Sequence, residues 1–205
     1  MKRWYILLFA VILVGFGVYA WLHREDLGLV SPDGSSNSGA SSAETARPAR
    51  ILWQKLDRTP DGFKVEMPTD SKEIQIPSYN AAGGSEQINM LYAYPDADTS
   101  FSVAWADNPP VARASDMAGE KTLDTAREDA LTRTQSSLVS ESKSSVQGFA
   151  ARDFSGRNSG GGVFNARMIL AGQRLYMLIA SFPSTSARRD LDVKRFFDSF
   201  SVVGK

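Results

Sequence analysis

Two residue types that carry chemistry are conspicuous by their scarcity. The 205-residue chain has no cysteine and one histidine, His23. Disulfides, thiolate nucleophiles, zinc–sulfur sites and acylated-cysteine anchors are excluded. Beyond His23 there is no imidazole for a Ser-His-Asp or Cys-His relay, or for a histidine-ligated metal. Carboxylates, lysine, tyrosine and serine remain, and their spacing offers three places to look. "DADTS" sets Asp96, Asp98 and Ser100 at alternate positions, as a calcium loop does. Phe101 stands where that loop needs glycine and the bidentate glutamate is missing, so an acidic hairpin turn is the plainer reading. "GRNSGGGV" (156–163) contains G-x-x-x-x-G, but Gly162 and Val163 replace the Lys and Ser/Thr of a phosphate loop. A hairpin loop that orders on a partner is its functional variant. Arg152, Asp153 and Arg167 fall on predicted neighbouring strands, where cross-strand ion pairing competes with an anion-binding patch. None of these amounts to a catalytic, cofactor or metal site.

A partner-facing surface has a better candidate. "DNPPVARASDMAGE" (107–120) joins a predicted strand to a predicted helix and is long for such a connection. Asn108, Pro109 and Pro110 within it are preset toward polyproline II, and these three are the expected partner-binding residues. Nucleic acid is excluded as that partner: the chain has 23 basic and 23 acidic residues, and from Ile51 onward 18 and 19. A phosphate-binding surface needs a basic excess. Trp53 and Trp105 read as core or rim packing rather than a ligand stack.

The elements that would hold such a surface begin with an anchor. Trp4 to Leu22 is 19 residues without a formal charge, about 28 Å as a helix, against a hydrocarbon core of about 30 Å. Aromatic residues flank both ends, and Lys2 and Arg3 precede it. The positive-inside rule puts the N-terminus in the cytoplasm and the rest across the membrane. The competing reading is a signal peptide cleaved after Ala20 in "VYA", which would leave a secreted protein. Residues 1–23 are thus expected as a transmembrane signal-anchor in contact with membrane lipid. Residues 24–50 are expected as a linker, and 51–205 as the extracytoplasmic domain, periplasmic if the source is bacterial. "SPDGSSNSGASSAETARPAR" (31–50) is rich in Ser, Gly, Ala and Pro, and its 20 residues would span about 25 Å as a flexible coil.

In the domain, period-two alternation marks strands: "FKVEM" with Phe63, Val65 and Met67 on one face, "EIQIP", "INMLYAY" and "FSVAWA", the last two joined by the turn "PDADTS". A helical period follows, with Leu123, Ala126, Ala130, Leu131 and Leu138 on one face and Thr122 as N-cap. Strands resume as "LVSESKSSV", "FAARDF", "VFNARMIL" and "LYMLIASF". The last is apolar on both faces, which predicts a central strand covered on both sides. After Pro183, with Ser184 or Ser186 as cap, Val193, Phe196, Phe197 and Phe200 fall at i, i+3, i+4 and i+7 of a second helix, and "FSVV" continues as a short strand. The pattern predicts an α+β fold, an antiparallel sheet with one helix packed on each face, preceded by a single transmembrane helix.

"DGFKVEMP" (61–68), a long helix, "RLYMLIASFP" (174–183) and "KRFFDSF" (194–200) occur in that order. Over Trp53 to Val203 the chain resembles the PsbP-like α/β/α sandwich superfamily, and within it uncharacterised membrane-anchored bacterial envelope proteins. The resemblance implies a binding or assembly module with a protein partner at the membrane, no cofactor and no shared catalytic residues. The chain departs from the lipoprotein branch in lacking a lipobox cysteine, and a transmembrane helix would do that anchoring. The expected function is a membrane-tethered, non-enzymatic extracytoplasmic binding module. The alternatives are an envelope hydrolase working with carboxylates or a Ser/Lys pair, and a small-ligand sensor with an apolar cavity between sheet and helix.

Overall fold

The computed structural model describes residues 50–79, 85–107, 116–183 and 187–204. The expected anchor (1–23) and the linker apart from Arg50 lie outside these residues, as do Asn108, Pro109, Pro110, Ser184 and Ser186. Among the described residues no helix is long and apolar enough to cross a membrane.

The strands in chain order are β1 (Trp53–Arg58), β2 (Phe63–Pro68), β3 (Lys72–Tyr79), β4 (Ser85–Asp96), β5 (Thr99–Asp107), β6 (Ser136–Val146), β7 (Phe149–Asn158), β8 (Val163–Ala171), β9 (Arg174–Phe182) and β10 (Ser201–Val202). A 3-10 turn (Thr59–Asp61) links β1 to β2. Helix α1 (Asp116–Arg133) follows β5, and α2 (Ala187–Ser199) follows β9. Seven strands form one antiparallel sheet in the order β3-β4-β5-β9-β8-β7-β6, and β1-β2-β10 form a smaller one.

The doubly apolar β9 sits fourth of the seven strands. Leu175 and Met177 face α1, packing with Leu123, Ala126 and Ala130. Tyr176, Leu178, Ala180 and Phe182 face the small sheet and α2, among Phe63, Val65, Met67, Phe196 and Phe200. Small alanines on α1 let its backbone approach the sheet closely. The expected single helix on the second face is therefore corrected to a composite cover of three strands plus α2. β1 was not expected, because "WQKLDR" interleaves apolar and charged residues on both of its faces.

The helix boundaries also differ from expectation. α1 starts at Asp116, so Thr122 lies inside it and is not its N-cap. It stops at Arg133: Thr134 donates its N–H and its hydroxyl to the Ala130 carbonyl, at 3.0 and 2.9 Å, and Gln135 turns left-handed at φ 47°. Leu138, predicted on the helical face, belongs instead to β6 and is 44% exposed.

The closing phenylalanines clasp the two layers. Phe196 meets Phe101 edge-on at 5.3 Å, and Phe200 stacks on Phe63 at 5.5 Å. Ser199 Oγ accepts the Glu66 N–H at 2.8 Å and donates to the Phe196 carbonyl at 2.7 Å. Arg195 lies over Trp53 at 5.0 Å and bonds Glu66 at 2.7 Å. Phe196→Ala should therefore cost about 3–5 kcal/mol in urea unfolding. Leu191→Ala, on the same helix but 69% exposed, should stay within about 0.5 kcal/mol. Equal costs would mean that α2 is not docked through this face.

Candidate functional site

The "DGF" stretch builds one polar junction. Asp61 ends the 3-10 turn, and Gly62 takes φ 80°, a left-handed conformation that glycine enters without strain. A β-carbon at Gly62 would come 2.7 Å from the Tyr176 hydroxyl. That hydroxyl lies 3.2 Å from the Asp61 carbonyl and 3.1 Å from the Gly62 carbonyl, and burial pushes its pKa up. Arg174 donates to both carboxylate oxygens of Asp107 at 2.7 and 2.9 Å and to the Asp61 carbonyl at 2.7 Å. The hydrogen bonds to Asp107 push the Arg174 guanidinium above its ordinary value. Arg58 lies over Trp105 at 5.7 Å and pairs with Asp61 and Glu73. Residues from β1, β3, β5 and β9 thus meet in a latch whose cations are matched by their own carboxylates. The segment carrying Asn108, Pro109 and Pro110 departs from Asp107, the last residue of β5 and part of this latch.

A second cluster ties α1 to β6 and β7. The Arg152 side chain is 4% exposed, and its guanidinium bonds Asp124 at 2.6 Å, Glu120 at 2.7 Å and Glu141. Arg127 also pairs with Glu141, and Lys143 with Glu120 at 2.9 Å. Burial pushes the Glu141 carboxyl up, but the hydrogen bonds from Arg152 and Arg127 outweigh it and hold the group below its ordinary range. The Lys143 hydrogen bond does the same for Glu120. Carboxyls held this low are poor proton donors at neutral pH.

Sequence neighbours Arg152 and Asp153 turn out to serve opposite faces, as alternation requires. Asp153 takes the two-pronged pair from Arg167 at 2.7 and 2.8 Å, and Arg167 also lies over Phe197 at 5.0 Å. The expected cross-strand pair is Asp153–Arg167; Arg152 reaches the helix instead. Neither guanidinium is left as an anion patch.

The other motifs close on themselves. In the glycine loop, Gly161 N–H donates to the Asn158 carbonyl at 3.0 Å and Gly162 N–H to Asn158 Oδ1 at 2.9 Å. Two of the amides that could cradle a phosphate are already used. Asp96 accepts from the Asp98 N–H at 3.1 Å and from Arg189 at 2.8 Å, which makes "DADTS" the turn of the β4–β5 hairpin. Among the described residues no group of three acidic or histidine side chains could hold a metal ion. Trp105 is buried against Phe63, and Trp53 packs edge-on to Phe101. A shallow cleft of about 120 Å³ is lined by Ser140, Ser142, Asp153, Phe154, Asn165, Ala166 and Phe197. Ligand pockets usually run to about 300–1,000 Å³. The features that sequence reasoning missed are the Arg152 cluster and the Asp107 latch. Only contacts between distant segments create them.

Gly62→Ala should destabilise less in a Tyr176→Phe background than in the parent, because removing the hydroxyl removes the clash and leaves only the backbone strain; strictly additive urea midpoints would contradict the close approach. Arg152→Met should cost about 2–3 kcal/mol, less than a fully buried pair because its carboxylates reach water. Glu120 and Glu141 are depressed in the folded state, so their contribution is present above the ordinary value of 4.5 and lost as pH falls through the folded values. Unfolding midpoints should drop below that pH, and Glu141→Gln should flatten the drop. An unchanged slope would remove Glu141 from the account.

No protein-family model matches the sequence, and no curated protein matches it. Solved structures do. Cyanobacterial PsbP (CyanoP) from Synechocystis sp. PCC 6803 is similar at TM-score 0.50 and 14% identity, over 84% of this chain and 99% of that one. The Ran-binding protein Mog1p of Saccharomyces cerevisiae aligns at TM-score 0.44 and 12% identity, over 75% of this chain and 97% of that one. From the element order, the two covers of the sheet and the CyanoP alignment together, the chain has the PsbP-like fold.

Proposed function

We propose that this chain is a membrane-tethered, non-enzymatic binding or assembly module working outside the cytosol. The observation that carries the reading is the uncharged run Trp4–Leu22 followed by a Ser/Gly/Ala/Pro-rich stretch. A greasy helix on a leash of about 25 Å keeps a domain close to the bilayer at high effective concentration. The domain suits that work. Its buried and half-buried guanidinium groups meet its own carboxylates, and the cleft beside Phe197 among the described residues is smaller than an ordinary substrate pocket. Contact with a protein partner is the activity this reading assigns to it, and the stretch holding Asn108, Pro109 and Pro110 is the proposed contact.

A reporter enzyme active only outside the cytosol, fused after Lys205, should be active, and a cytosolic signal would overturn the topology. Crosslinking in membranes should capture one protein repeatedly, and the combined variant N108G/P109S/P110G should lose that capture with its urea midpoint unchanged. Undiminished capture would remove this stretch from the contact. A protease site in the linker should abolish function on cleavage while the domain stays folded. Full activity of the released domain would show that tethering is dispensable.

A further inference from the structure

The shallow cleft beside Phe197 lies on the α2 side of the large sheet. Strand pairing lays out its floor as two rows across β6, β7 and β8: Ser140–Ser155–Asn165 and Ser142–Asp153–Arg167. Neighbours across the strands stand about 5 Å apart and those along a strand about 7 Å. Phe197 supplies an apolar wall from α2, and the volume is about 120 Å³, the share of about four waters in the liquid. That is room for one small ring.

Which groups are already committed decides what the cleft can take. Arg167 gives Nε and Nη2 to Asp153 and Nη1 to the Phe197 carbonyl at 3.2 Å. Lys194, also on α2, is held by Asp198. An anion therefore finds no unspent cation, and a cation finds Asp153 already neutralised. What remains is hydrogen-bonding capacity without net charge. Ser142 and Asn165 line the cleft and make no side-chain hydrogen bond within the described residues. The Ser140 and Ser155 hydroxyls meet at 2.7 Å, and whichever accepts keeps its own proton to give. A carboxylate offers about four acceptor positions, and Arg167 occupies one on each oxygen of Asp153. The two-pronged pair also fixes the direction of the others, so they are organised before a ligand arrives.

A wholly apolar ligand would strand Ser142 and Asn165 away from water. An amide side chain has one polar end and would meet only part of the set. A sugar ring carries hydroxyls around its rim that both donate and accept, and its C–H face suits the Phe197 wall. We propose that this cleft is a subsite for one neutral sugar ring, free or as a unit of a glycan. Ser142, Asn165 and the outer lone pairs of Asp153 grip its hydroxyls, with Phe197 against its apolar side. The inference goes beyond the protein contact proposed above and rests neither on it nor on the tether.

Saturation-transfer NMR on the full chain in phosphocholine micelles, which carry no sugar head groups, tests this with glucose, galactose, mannose and N-acetylglucosamine. At least one should saturate with a dissociation constant of about 1–10 mM, the range for a ring of this size at ordinary ligand efficiency. The double variant S142A/N165A should weaken that binding roughly tenfold, the loss of two hydrogen bonds. S145A, on the opposite face of β6, should leave it unchanged, and urea midpoints would verify that both variants stay folded. A tetrasaccharide of the same ring separates the sources: tighter binding than the monosaccharide supports a glycan, equal binding a free sugar. Four results would each overturn the proposal. They are no saturation by about 100 mM of any neutral sugar, binding unaffected by S142A/N165A, an equal loss in S145A, and tighter binding of glucuronate, glucosamine or acetylglutamine amide than of every neutral sugar.

Discussion

One constraint organises the domain: β9 is apolar on both faces and cannot tolerate water on either. A sheet with such a strand at its centre must be covered twice, and the two covers are built differently. On one side, an alanine-rich helix lies close to the sheet, and Arg152 clamps it from β7. On the other, the chain's last helix and the small sheet share the task, with Phe63, Phe101, Phe196 and Phe200 interlocked at centroid distances of 5.3 to 5.5 Å. The second cover draws on both ends of the domain, β1 and β2 from the start and α2 and β10 from the close. This makes the outer layer a closure that forms only when distant segments meet.

What the sequence made legible was whatever local pattern could carry. Leu175 to Phe182 announces a doubly covered strand, Val193 to Phe200 a docked helix, and Gln147-Gly148 a tight turn, and each lies where its pattern puts it. Local pattern failed where apolar spacing was coincidental or missing. Leu138 stands at a distance from Leu123 that helical periodicity accepts, yet Gln135 had already turned the chain out of the helix. β1 presents Trp53 and Leu56 on opposite faces among charged neighbours, so its strand character comes from pairing with β2. Adjacency groups Arg152 with Asp153, although period two sends them to different faces. The Asp153–Arg167 pair was legible as neighbouring strands, but the cluster of Arg152 with α1 was not. Glu120 and Lys143 have no local relation, and only the packing of α1 on β6 brings them within 2.9 Å.

These clusters also shape the functional reading. A polar group already bonded within the fold is expensive to recruit for a ligand, since the partner left behind must be resolvated or stays unpaired. Asp107 with Arg174, Asp153 with Arg167 and the Glu141 group with Arg152 spend their charge on holding strands and helix in place. Among the described residues these charges are therefore committed to the fold.

The small sheet has a mechanical consequence. β1 and β10 both run antiparallel to β2 and flank it, so they run parallel to each other. The chain enters this sheet near Pro68 and leaves it near Phe63, at opposite ends of the middle strand. A pull between the entering and leaving segments acts along the strands and strains their rungs in concert, a shear geometry, instead of opening them one after another like a zip. Held from one end against a load on the other, the domain would yield abruptly.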